Sequence, residues 1–181
     1  MKTIVILLAM LCTPWALALE PESCENDAVT PTTPSSDFTE MGDGGVVRHE
    51  TTGLEWQRCL LGQTWQDGHC GSVMPIKYTW QEALIAANAV EGWRLPNVKE
   101  LLSIVELCGQ TGFTAMHFNR QVFSFSTVLS GIEFPLITTL WSASPSTRPD
   151  KAWMVSFTGL ILDADVSKQN EYFVRLVRTA N

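Results

Sequence analysis

Three observations in the 181-residue sequence predict an α+β fold: strand-like runs near both ends, two helix signatures between them, and an even number of cysteines outside the leader. Strands, then helices, then strands is the order that packs helices on an antiparallel sheet. The even cysteine count predicts that this arrangement is stapled by disulfides.

The leader comes first. Lys2, the apolar run IVILLAMLC and the small-residue site ALA, with Ala16 and Ala18 flanking Leu17, match a cleaved secretory signal over residues 1–18. The apolar run is too short to span a bilayer. Leu11, just before Cys12, stands where a lipoprotein signal wants a small residue, so plain export is preferred to lipidation. Export predicts a protein in the periplasm, at the cell surface or outside the cell.

Cleavage after Ala18 leaves 163 residues with 11 basic side chains against 19 acidic ones, a formal charge of −8. A chain of that charge repels nucleic acid and other polyanions on average. No second apolar stretch approaches membrane length, so one domain without a membrane span is expected. The organisation is read as a signal peptide (1–18), an extended lead (19–40) and a folded domain (41–181).

Cys24, Cys59, Cys70 and Cys108 suit two disulfides, with three connectivities open. Cys59 and Cys70 flank LLGQTWQDGH, a Gly-containing loop that a bridge could close, which would leave Cys24 and Cys108 for a long-range staple. No pair has knuckle spacing for zinc, and His49, His69 and His117 are scattered.

The lead, PESCENDAVTPTTPSSDF, is rich in Pro, Ser and Thr. Gly42–Gly45 then signal a turn, and VVRHE and LEWQ read as a hairpin around TTG. Thr79 with Glu82 forms a capping box for a helix that places Trp80, Ala83, Leu84 and Ala87 on one face. Gly92 ends it. Asn97 with Glu100 repeats the grammar for a second helix carrying Val98, Leu101, Leu102, Val105 and Cys108, and Pro96 holds Leu95 out of the helical region just before it. From Gly109 to Leu140 the period is lost and irregular loop is expected. LWSAS, KAWMVSFTGLILDADV and YFVRLVR follow as strands, the middle one a hairpin around Thr158 and Gly159 with Trp153, Val155 and Phe157 on one face.

The phrases TPTTPSSDFTEMGDGGVVRHETTGLEWQRC, GQTWQDGHC, YTWQEAL, GWRLPNVKEL, LWSASP and VRLVR stand in one order. In that order the chain resembles the Lcl C-terminal domain family, named for a secreted bacterial collagen-like adhesin. The resemblance implies a domain similar to the C-type lectin-like and formylglycine-generating-enzyme-like folds, with Cys59 paired to Cys70 and Cys24 to Cys108. It also implies adhesion or glycan binding, with an extracellular polysaccharide or a surface protein as partner. The chain departs from the family pattern after the second helix, where FTAMHFNRQVF and IEFPLITTLW replace the usual phrases, so ligand choice transfers least there.

Candidate site residues divide by weight. Trp93 and Arg94 could hold an anionic ligand, but a brace is preferred, with Trp93 buried between the helices and Arg94 on Glu100 or on backbone carbonyls. Ser142, Ser144, His117 and Asp163 lack the local grammar of a hydrolase triad, and no enzyme is expected. Asp163 and Asp165 in DADVSK, like Asp43 in GDGG, offer carboxylates to calcium. Neither run supplies an EF-hand ligand string, so a solvated turn is preferred and no cofactor is expected. Trp65, inside the Cys59–Cys70 loop, is the best candidate for a sugar-stacking surface. With the net charge of −8, the expected ligand is a neutral saccharide, or one bridged by a cation through Asp163 and Asp165, rather than a sulfated one. The alternative is a structural or assembly partner in a surface or envelope complex.

Overall fold

The computed structural model describes residues 29–71, 75–107, 117–123 and 139–180. The signal peptide, Cys24 and Cys108, and with these cysteines the expected long staple, lie outside them. The architecture is α+β, with short helices and small antiparallel sheets.

Strands β1 (Phe38–Met41), β2 (Val46–His49) and β3 (Leu54–Gln57) form a meander. The last strand of the chain, β9 (Val177–Thr179), adds to β3 and gives the order β1-β2-β3-β9. Register pairs Val47 with Trp56 and Trp56 with Val177, all three buried. One residue along, Arg48 stands opposite Glu55 and Glu55 opposite Arg178 on the other face, as the two-residue period requires. The sheet starts earlier than the sequence suggests: Phe38, Thr39 and Glu40, read as part of the lead, are paired in β1. A hairpin of two-residue strands, β4 (Trp65–Gln66) and β5 (His69–Cys70), fills the loop closed by the Cys59–Cys70 disulfide.

Helix α1 (Trp80–Asn88) carries the Thr79–Glu82 capping box and buries Ala83 and Ala87, with Trp80 and Leu84 packed beside them. It ends short of Gly92, whose φ of +76° turns the chain back at small steric cost. Helix α2 (Val98–Leu102) carries the Asn97–Glu100 capping box but is shorter than the apolar spacing predicts. Ser103 donates its hydroxyl to the Glu100 carbonyl, the local back-bonding that competes with a continuing ladder. Val105 is therefore buried from a non-helical turn, and Leu102 is exposed.

Strands β6 (Thr139–Pro145), β7 (Lys151–Ser156) and β8 (Ile161–Ser167) form a second antiparallel sheet with β7 in the middle. It is covered on both faces. Leu140, Val155 and Phe157 join Trp56, Leu101 and Phe123 in one apolar cluster, while Trp141, Ala152 and Met154 join Ala83 and Ala87 of α1 in the other. Val155 and Phe157 share one face as the alternation predicts, although Trp153 is only half-buried. DADVSK is likewise no turn, since Asp163, Ala164, Asp165, Val166 and Ser167 belong to β8.

The run YFVRLVR is strand only at its end. Tyr172 and Phe173 make isolated bridges to Tyr78 and Leu140. Arg175 is fully buried, donating from Nη1 to the carbonyls of Gln57 (2.8 Å) and Arg58 (2.6 Å). Burial, with Arg58 adding repulsion, lowers its pKa to about 9.

Candidate functional site

The RLP region is built as a brace. Arg94 Nη1 and Nη2 donate to Glu100 Oε2 and Oε1, each at 2.7 Å, in the bidentate form that suits a guanidinium. Glu100 Oε2 also accepts the Asn97 amide at 2.8 Å, so one carboxylate caps the helix and holds the arginine. Burial pushes the Glu100 carboxyl up, but the Arg94 and Asn97 hydrogen bonds and the Arg94 charge hold it below its usual value. The backbone of Arg94 bridges Val177, and the buried Pro96 accepts the Ala143 amide at 2.7 Å. Trp93 departs from expectation. It is half-buried, and the Arg178 guanidinium lies 4.5 Å from its ring while donating to Glu55 at 2.6 Å.

The residues expected to meet a ligand are engaged within the chain. Trp65 donates Nε1 to the Asp43 carbonyl at 3.1 Å, and Arg58 stacks 4.3 Å from its ring centroid. The ring also leans on the Gly44–Gly45 turn so closely that a Cβ on Gly45 would come within 3.0 Å of the Trp65 side chain. Asp165 pairs with Arg148 at 2.7 Å, and Asp163 Oδ1 accepts the Asp165 amide at 2.7 Å. Trp65 and the two aspartates stand on different sheets, so they make no common stacking-and-carboxylate site. Among the described residues no group of three or more His, Cys, Asp or Glu is gathered for a metal ion.

The hydrolase candidates are dispersed too. Ser142 Oγ donates to the Trp153 carbonyl, Ser144 Oγ accepts the Val98 amide, and His117 Nδ1 lies 3.3 Å from the Glu106 carbonyl. The two serines lie together on β6, the Ser144 amide donating to Ser142 Oγ at 3.1 Å, and no hydrogen bond among the described residues joins them to His117 or to Asp163 of β8.

What brings side chains together around an opening is the lead. Glu106, just past α2 and 4% exposed, accepts the amides of Thr32 and Thr33, each at 2.8 Å, and the Thr33 hydroxyl at 3.0 Å, with the Thr32 hydroxyl oxygen 3.2 Å away. Asn119, fully buried, donates to the Thr33 carbonyl and caps Gln121 and Val122. The lead is thus tied by polar contacts, although its composition offers few apolar anchors. Between it, the β2–β3 turn and α2 lies a groove of about 450 Å³, lined by residues that include Thr33, His49, Thr51, Leu102, Ser103 and Leu160.

His49 sits in this lining, 3% exposed, its ring stacked on Phe38 with centroids 4.7 Å apart and its Nδ1 3.0 Å from Thr52 Oγ1. Burial pushes its pKa below the usual 6.5, against the raising effect of Asp37 and Glu50. The sequence carried one signal for it: in VVRH, His49 alternates onto the same face as Val47. No local signal marks Glu106, whose partners lie more than seventy residues away.

No curated protein and no solved structure matches this chain. The family model of the Lcl C-terminal domain matches residues 45–178, which span β2 or its flank through β9 and include the disulfide, both capped helices and the Arg94 brace. With that match over most of its length, the chain belongs to the Lcl C-terminal domain family.

Proposed function

We propose that this is an exported, non-catalytic adhesion module that recognises an uncharged ligand in the groove between the lead and α2. The observation that carries this reading is the groove's lining, which among the described residues contains no Lys, Arg, Asp or Glu. A neutral glycan or an uncharged group on a surface protein fits such a lining better than a sulfated polymer does, and the charge of −8 after leader removal points the same way. Export is supported by the leader pattern and by the Cys59–Cys70 disulfide. A C-type lectin-like fold belongs to the same proposal, supported by the family, the short helices and the small sheets. No cofactor is invoked.

The second reading, an assembly partner in a surface or envelope complex, is favoured by one observation. Leu102 and Leu107 are 37% and 47% exposed and stand in the groove's lining. The test is surface binding of the mature protein to neutral polysaccharides, sulfated polysaccharides and surface proteins at low and moderate salt, with and without calcium. Binding to an uncharged ligand should survive added salt and weaken in Leu102→Arg, which places a charge at the groove. Binding confined to sulfated polymers, abolished by salt and indifferent to Leu102→Arg, would reject the groove. Time-dependent product formation would reject the non-catalytic reading.

A further inference from the structure

The groove looks hydroxyl-rich by residue name, yet its hydroxyls serve the fold. Thr32 Oγ1 donates to the Val105 carbonyl and accepts the Leu107 amide, Thr33 Oγ1 donates to Glu106, and Ser103 Oγ donates to the Glu100 carbonyl. Thr52 Oγ1 is taken by His49 Nδ1. What these residues leave to a ligand is largely carbon, continued by Leu102, Val105, Leu107 and Leu160. Among the lining's side chains, two polar groups make no hydrogen bond with the described residues: the Thr51 hydroxyl, on an exposed residue, and Nε2 of the buried His49.

That pattern selects a ligand by chemistry. A sugar ring carries hydroxyls on every side and would set several of them against carbon, which costs free energy for each one left unbonded. A plain hydrocarbon fills the groove but leaves His49 Nε2 unmet. An aromatic ring with one hydroxyl at its tip satisfies both demands, and a phenol both donates and accepts, so it suits either tautomer of His49. The exposed Leu102 and Leu107 extend apolar surface from the groove, which suits a ligand that continues as a chain. Resting on the groove-recognition reading above, we infer that the groove receives a tyrosine side chain of a partner protein, ring against Leu102 and Leu160 and hydroxyl on His49 Nε2.

The experiment titrates the mature protein with N-acetyltyrosinamide, N-acetylphenylalaninamide and methyl glucoside, following the amide resonances of Thr51, Thr52 and Ser103. The tyrosine amide should move these resonances and bind roughly three- to tenfold more tightly than the phenylalanine amide, the worth of one net hydrogen bond. His49→Phe, which retains a ring to stack on Phe38, should erase that difference, and Leu102→Arg should weaken both amides. If His49→Phe does not fold, the comparison of the two amides on the parent protein still decides. Equal binding of the two amides, or no movement with the tyrosine amide, overturns the inference. Movement with methyl glucoside alone sinks the tyrosine inference and leaves groove recognition standing. Silence with all three probes sinks both.

Discussion

Glu100 and Glu106 stand on the same short stretch of chain and each fastens a neighbour, yet their carboxylates are met in opposite ways. Glu100 is held by a cation and by its own helix: Arg94 and Asn97 reach it from six and three residues away. Glu106 is held by the amides of Thr32 and Thr33 and by the Thr33 hydroxyl, over seventy residues away. The first closes a local motif whose arginine side chain is 40% exposed. The second fixes the lead against the domain from a site only 4% exposed. A carboxylate supported by fixed dipoles in a dry site ties distant segments more firmly than one supported by a half-exposed ion pair.

Removing the deeper carboxylate should have the largest effect. Glu106→Ala strips the buried Thr33 amide and hydroxyl, and the part-buried Thr32 amide, of their acceptor and should cost about 3 kcal/mol, read by urea unfolding. Amide exchange at Thr32 and Thr33 should accelerate in the same variant. A cost below about 1 kcal/mol would erase the contrast between the two carboxylates.

Arg94→Ala should cost less, about 1 kcal/mol, because solvent already reaches the guanidinium and screens the pair. Arg94→Lys should recover only part of the loss, since a point charge cannot make both 2.7 Å contacts in the same geometry. A penalty equal to that of Glu106→Ala would show that the brace is coupled to more of the core than its contacts suggest.

Acid should separate the groove from the brace. Burial keeps the folded-state pKa of His49 below 6.5, so its contribution to stability is complete above pH 6.5 and is lost as pH falls below it. Glu100 is held below 4.5, so its contribution survives to about that pH and is lost on further acidification. Melting temperature should therefore decline in two stages. His49→Phe should flatten the stage below pH 6.5, and Arg94→Ala the stage below pH 4.5. A single acid transition unaffected by His49→Phe would contradict the placement of that ring.

The smallest expected effect is that of Arg148→Ala. Its pair with Asp165 is exposed on both sides, and the change in stability should stay within about 0.5 kcal/mol by the same unfolding measurement.

What was legible in the sequence follows the range of the interactions. Capping boxes at Thr79 and Asn97, the hairpin around TTG and the pairing of Arg94 with Glu100 rest on residues three to six apart, and each is found where the spacing puts it. Periodicity overextends α2 because Ser103 and Glu106 have uses that it does not encode. Trp65 was read as open because nothing local shows that Gly45 and Arg58 will close on its ring. The groove was invisible for the same reason, since its walls come from the lead, the β2–β3 turn and the end of α2.

One feature of the second sheet bears on how these molecules behave when crowded together. Among the described residues β8 is a terminal strand, and Ile161 and Leu162 on it are 47% and 40% exposed, a combination that invites templated growth between copies. Its middle works against this. A second β8 laid antiparallel and centred on Ala164 would set Asp163 against Asp165 twice over, and the Asp165 amide it would need is already taken by Asp163. The register shift opposite this part of β7 further spoils the straight edge that lateral stacking requires. Asp163 and Asp165 thus interrupt an otherwise apolar edge with charge and a self-bonded stretch of backbone, a local obstacle to pairing between copies in that register.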